Sequence, residues 1–123
     1  MGHHKSVIIR KKRRRNRSKK TSFAHPSLNR LVVHRSLKHF EAQIINDFEG
    51  HTIISASSKG KDLKPTLKNI KSKIDLSKKV GEVLAAKAKK MKIKSVVLDR
   101  NGYPYHGRVK AFVESVRKNG LNL

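Results

Sequence analysis

Between Arg10 and Lys20, nine of eleven residues are basic: Arg10, Lys11, Lys12, Arg13, Arg14, Arg15, Arg17, Lys19 and Lys20. No acid precedes Glu41. A run of like charges without apolar periodicity repels itself and has nothing to bury. The chain therefore divides into a basic arm over residues 1–29 and a single globular body over 30–123. The arm alone is expected to be disordered, and helical once phosphates screen it, because Arg and Lys are good helix formers. Thr21 to Asn29 reads as a linker, with Pro26 as its breaker.

The charge is not confined to the arm. The whole chain carries 31 Lys and Arg against 8 acids, a formal net charge of +23. Residues 30–123 hold 21 of those cations and all 8 acids, so the body is itself +13. A body of this size cannot concentrate that much like charge without an anionic partner. Nucleic acid, an anionic membrane and acidic proteins are the candidates. No apolar run approaches the roughly 18 residues of a membrane span. Val7-Ile8-Ile9 is too short for the apolar part of a signal peptide, and Arg10 follows where that part would continue. With no Cys, the chain has no disulfide, thiolate zinc site or thiol nucleophile, which agrees with a cytosolic or organelle-matrix protein.

Periodicity in the body predicts the order βββαβα. Residues 30–35 are rich in β-branched side chains, and Phe40, Ala42 and Ile44 alternate with Glu41 and Gln43. The turn-rich Asn46 to Gly50 leads to a third strand over 52–57. Short connections imply an antiparallel meander. The Lys-rich stretch from Ser58 to Leu76 reads as a long loop with one helical turn. Ser77 is expected to cap a helix whose buried face carries Val80, Val83, Leu84, Ala88 and Met91. A buried strand over 95–98 follows. A final helix over 108–118 has Val109, Phe112, Val113 and Val116 on one face and Asn119-Gly120 at its end. The strand–helix–strand passage implies a parallel crossover. The fold class is α/β, one mixed sheet with helices on one face and the other face open.

Three groups of residues could meet a polyanion. The arginine block suits a tail, a nuclear-import signal or an arm threaded into RNA. Attached to a basic body, it favours the last, since Arg binds phosphate bidentately and stacks on bases. His34, Arg35, Ser36, Lys38 and His39 cluster at the first hairpin turn, more donors than a purely structural turn requires. Tyr103, Tyr105, His106 and Arg108 gather before the last helix, where free N–H groups favour a phosphate. Either tyrosine could stack on a base, or simply cover the edge of the core. The seven histidines lack metal-ligand spacing, and Asp99-Arg100-Asn101-Gly102 reads as a turn rather than a catalytic loop. No cofactor, small-molecule substrate or enzymatic constellation emerges.

The stretches RLVVHRSLKHFEAQII (30–45), Val80-Gly81, DRNGYPYHGRV (99–109) and the terminal NGLNL resemble the bacterial-type large-subunit ribosomal protein L-eighteen family. The resemblance covers nearly the whole body, and the stretch from Asp99 to Val109 is its most specific part. It implies attachment of 5S rRNA to the main large-subunit rRNA at the central protuberance, beside other 5S-associated ribosomal proteins. It implies a location in the ribosome, in the cytoplasm or an organelle matrix. It adds Arg30 and Arg100 to the expected RNA contacts. The family typically has an aromatic where this chain has Glu41; either that position points away from RNA or the contact is lost. The rival from another class is a DNA-compacting or nuclear basic protein; a nuclease lacks the acids it would need.

Overall fold

The computed structural model describes residues 2–18, 27–61 and 63–123. Lys19, Lys20 and most of the expected linker lie outside the described residues. Within the arm, Gly2–Ser18 forms a helix, α1.

Alternation places the strands. In β1 (Asn29–Arg35), β2 (Phe40–Asn46) and β3 (His51–Ser57), one set of side chains is buried: Leu31, Val33, Phe40, Ala42, Ile44, Ile54 and Ala56. The antiparallel register sets Leu31 opposite Ile44 and Val33 opposite Ala42, so the apolar set falls on one face. Ile44 faces Ile54, but Ile45 faces Thr52; Ile53 is the extra residue of a β-bulge. β4 (Val96–Asp99) runs parallel to β1, giving the sheet order β3-β2-β1-β4.

The segment between β3 and β4 contains a short helix, α2 (Lys64–Leu67), and a long one, α3 (Lys73–Lys90). α3 begins a turn earlier than the sequence suggests. Its cap is Ser72, whose hydroxyl accepts from the Ile74 amide, with Asp75 in the first turn. Ser77 is instead fully buried inside the helix, donating to the Lys73 carbonyl four residues back. The apolar stripe starts only after Ser77, which is why the later serine imitates a cap. Met91 is also not on the buried face: it ends the helix and is 57 % exposed.

The last helix, α4, spans Arg108–Lys118 and buries Val109, Phe112, Val113 and Val116. Its end turns at Gly120 (φ +100°), and Leu121 folds back into the core, its amide donating to the Val116 carbonyl. α3 and α4 cover the apolar face of the sheet, with the Phe40 and Phe112 rings 5.0 Å apart at the junction. The helices cross closely at Gly81. A Cβ there would lie 3.0 Å from the Phe112 carbonyl oxygen and 3.1 Å from the Ser115 hydroxyl. That hydroxyl donates to the Lys78 carbonyl at 2.7 Å, tying the two helices together.

Candidate nucleic-acid interface

The loop after β4 is built by Asn101 and Gly102, both at positive φ (53° and 82°). The Asp99 carboxylate accepts from the Asn101 amide at 2.9 Å, and the Tyr103 amide donates to the Arg100 carbonyl at 3.0 Å. This is the structural turn expected of Asp-Arg-Asn-Gly. It leaves Arg100 exposed at the tip and turns Tyr103 back towards β1.

Asp99 also anchors Arg30. The Arg30 guanidinium donates to Asp99 at 2.7 Å and to Asp47 at 3.0 Å and 3.1 Å. The hydrogen bond to Asp47 has the largest influence on Arg30, raising its pKa above the ordinary value against desolvation, which lowers it; Asp99 adds to the rise. Arg30 therefore joins β1, the β2–β3 turn and β4, a duty the sequence reading did not assign to it.

Three more of the expected contact residues, Arg35, Tyr103 and Arg108, are tied into the body. The Arg35 guanidinium lies 4.8 Å from the Tyr103 ring centre, and the Tyr103 hydroxyl lies 3.4 Å from both the amide and the carbonyl of Arg35. Arg108 donates to the Ser36 carbonyl at 2.7 Å, holding the first hairpin against the start of α4. The hairpin turn is closed by the Ser36 amide on the His39 carbonyl and the His39 amide on the Ser36 hydroxyl. His39 Nδ1 meets the Ser58 hydroxyl at 3.0 Å, which also accepts from the Phe40 amide. His34, Lys38, Tyr105 and His106 are exposed. The Tyr105 hydroxyl is within 3.5 Å of Arg117.

The sheet face away from the helices carries His34 opposite Glu41. Glu41 accepts from the Ser57 hydroxyl at 3.3 Å and lies 3.6 Å from the Lys59 ammonium. Its charge is thus balanced locally.

In α1 the basic residues Lys5, Arg10, Lys11, Lys12, Arg13, Arg14, Arg15 and Arg17 are all exposed. Arg14 and Arg17, one helical turn apart, line a cleft together with Arg100, Leu98, Gly102, Tyr103 and Pro104. The cleft has a volume of about 580 Å³. Among the described residues, none of its three guanidinia is ion-paired. The sequence named each arginine but gave no signal that arm and loop would meet. From sequence Gly102, which makes the meeting possible, is only a turn residue.

Among the described residues there is no group of three His, Cys, Asp or Glu that could hold a metal ion. No described helix is long and apolar enough to cross a membrane.

Comparison with known proteins assigns the chain. The family model for ribosomal L18 of archaea, bacteria, mitochondria and chloroplast matches residues 5–123. The large ribosomal subunit protein uL18 of Caldicellulosiruptor saccharolyticus is 45% identical over 123 residues, covering 98% of each chain. The uL18 of Chloroherpeton thalassium is 46% identical over 117 residues, 95% of this chain and 96% of the relative. That of Staphylococcus haemolyticus is 54% identical over 92 residues, 75% of this chain and 74% of the relative. These relatives are ribosomal proteins rather than enzymes. The chain belongs to the uL18 family of large-subunit ribosomal proteins.

Proposed function

We propose that the protein is a structural component of the large ribosomal subunit that binds 5S rRNA and helps join it to the main large-subunit rRNA at the central protuberance. The observation that carries this reading is the cleft in which Arg14, Arg17 and Arg100 converge with no carboxylate among the described lining residues. Guanidinia without acidic partners are suited to phosphate, and the neighbouring Tyr103 and Pro104 offer apolar surface to a base or ribose.

The contacts divide by role. The exposed groups touch RNA directly: Arg10 to Arg15 and Arg17 from the arm, His34 and Lys38 from the hairpin, and Arg100, Tyr105 and His106 from the last loop. Arg30, Arg35, Tyr103 and Arg108 hold those groups in place through the bonds described above, and offer to RNA only the donors and ring surface left over. Ser36 and His39 define the hairpin turn. The exposed Leu37, at 83 %, lies at its tip and suits a neighbouring 5S-associated ribosomal protein.

A titration decides between this function and DNA compaction. The full chain is titrated with a 5S rRNA transcript and with duplex DNA of similar length at the same ionic strength. Preference for the 5S transcript is expected, as is co-sedimentation of the endogenous protein with large ribosomal subunits. Equal affinity for the duplex would favour a DNA-compacting role instead.

A further inference from the structure

We propose that the cleft between α1 and the β4–α4 loop is a composite seat for one phosphodiester group of the RNA, and that Gly102 is the positioning residue that lets its two halves meet. This deepens the RNA-binding reading and rests on it. A Cβ on Gly102 would lie 3.0 Å from the Arg15 nitrogen, 3.1 Å from its Cα and 3.4 Å from the Arg14 carbonyl carbon. The backbone of α1 thus rests directly on the loop, and a side chain at 102 would meet backbone that cannot swing aside. The positive φ of Gly102 excludes most side chains independently.

That contact sets Arg14 and Arg17 across from Arg100. Bringing three guanidinia around one space raises their mutual repulsion, and Asp99, the acid nearest in the chain, is already committed to Arg30 and the Asn101 amide. An anion in the cleft reverses the balance. The two non-bridging oxygens of a phosphodiester can take a bidentate pair from one Arg and single bonds from others. Leu98, Tyr103 and Pro104 complete the wall with surface suited to the sugar or base beside that phosphate rather than to a fully hydrated ion. Arm and body therefore act as one site: each half positions the phosphate for the other.

The test is a double-mutant cycle in the full chain against a 5S rRNA transcript at fixed salt. Arg100→Gln and the paired Arg14→Gln/Arg17→Gln variant should each weaken binding roughly tenfold or more. Their combination should be scarcely weaker than the worse of the two, because either change already breaks the shared seat. Factors that simply multiply mean independent contacts and overturn the proposal. Gly102→Ala alters no charge, yet should weaken binding about as much as the paired arginine change and add nothing when combined with it. Unchanged affinity in a folded Gly102→Ala chain also overturns it; if that variant melts early, the arginine cycle decides alone. A wild-type chain that ignores the transcript would defeat the ribosomal reading itself. The same cycle is then run with inorganic phosphate, following the Gly102 amide resonance. A saturable shift abolished by either arginine variant keeps the cleft, and no shift removes it.

Discussion

Arg108 donates a 2.7 Å hydrogen bond to the Ser36 carbonyl, across 72 positions of sequence. One guanidinium thereby fixes the first hairpin to the start of the last helix, two of the three regions proposed to meet RNA.

Arg108→Ala should therefore lower both stability and affinity. From sequence, Arg108 is one of the residues before the last helix that favour a phosphate, and its loss is expected barely to alter stability. The bond to Ser36 adds a folding cost of about 1.5–3 kcal/mol, the range for hydrogen bonds to charged groups. Denaturant melts read the stability, and titration with a 5S transcript under fully folding conditions reads the affinity. Full stability would mean that the hairpin is held by the Arg35–Tyr103 contact alone.

Phe112→Ala is the contrasting change. Phe112 is fully buried against Phe40, so truncation should cost about 3–5 kcal/mol. RNA affinity, corrected for the unfolded fraction, should be unchanged. A direct loss of affinity in the folded variant would show that core packing shapes the interface.

Gly81→Ala should destabilise although it improves helix propensity. The propensity gain is about 1 kcal/mol. Against it stands the added Cβ 3.0 Å from the Phe112 carbonyl oxygen, and overpacking of this kind typically costs about 1–3 kcal/mol. A lower melting temperature is the expected result, and a higher one would mean that α3 and α4 separate without penalty.

Arg30→Leu should cost roughly 3 kcal/mol, because it strands the Asp99 carboxylate, 3 % exposed, without its cation. Pairing it with Asp99→Asn should recover part of the loss. If the double variant is no more stable than the single, the ion pair is not the source of the effect.

Affinity for the 5S transcript should fall steeply with salt. With about 6–10 phosphates neutralised, the drop between about 50 and 200 mM salt is about 10³–10⁵-fold on duplex-DNA slopes. Titrations across that range check it; a nearly flat dependence would contradict an electrostatic interface.

Local pattern made much of this fold legible. β2 alternates cleanly, and α4 keeps its apolar residues at helical spacing up to a glycine stop, so both elements fall where periodicity puts them. The start of α3 is ambiguous in the sequence because Ser72 and Ser77 both precede charged helical sequence, and the apolar stripe begins only after the second. Asp75, three residues after Ser72, was the available signal. The site was legible as a set of residue types but not as an arrangement. That Arg30 meets Asp47 and Asp99, Arg108 meets Ser36, and Arg14 meets the Gly102 loop depends on contacts between distant parts of the chain. Composition and spacing carry no record of these.

The strand order has a consequence for synthesis. β1 lies between β2, its immediate successor, and β4, which follows only after α2 and α3. A growing chain can close the β1–β2–β3 meander early, since those pairings are local and local contacts form fastest. Its apolar face stays uncovered, and the second edge of β1 unpaired, until α3, β4 and α4 have emerged. The cationic arm leaves the exit tunnel before any of this is complete. An incomplete body with an uncovered sheet face is therefore prone to aggregate, and the early-emerging arm is free to engage polyanions while the fold that positions it is still being made.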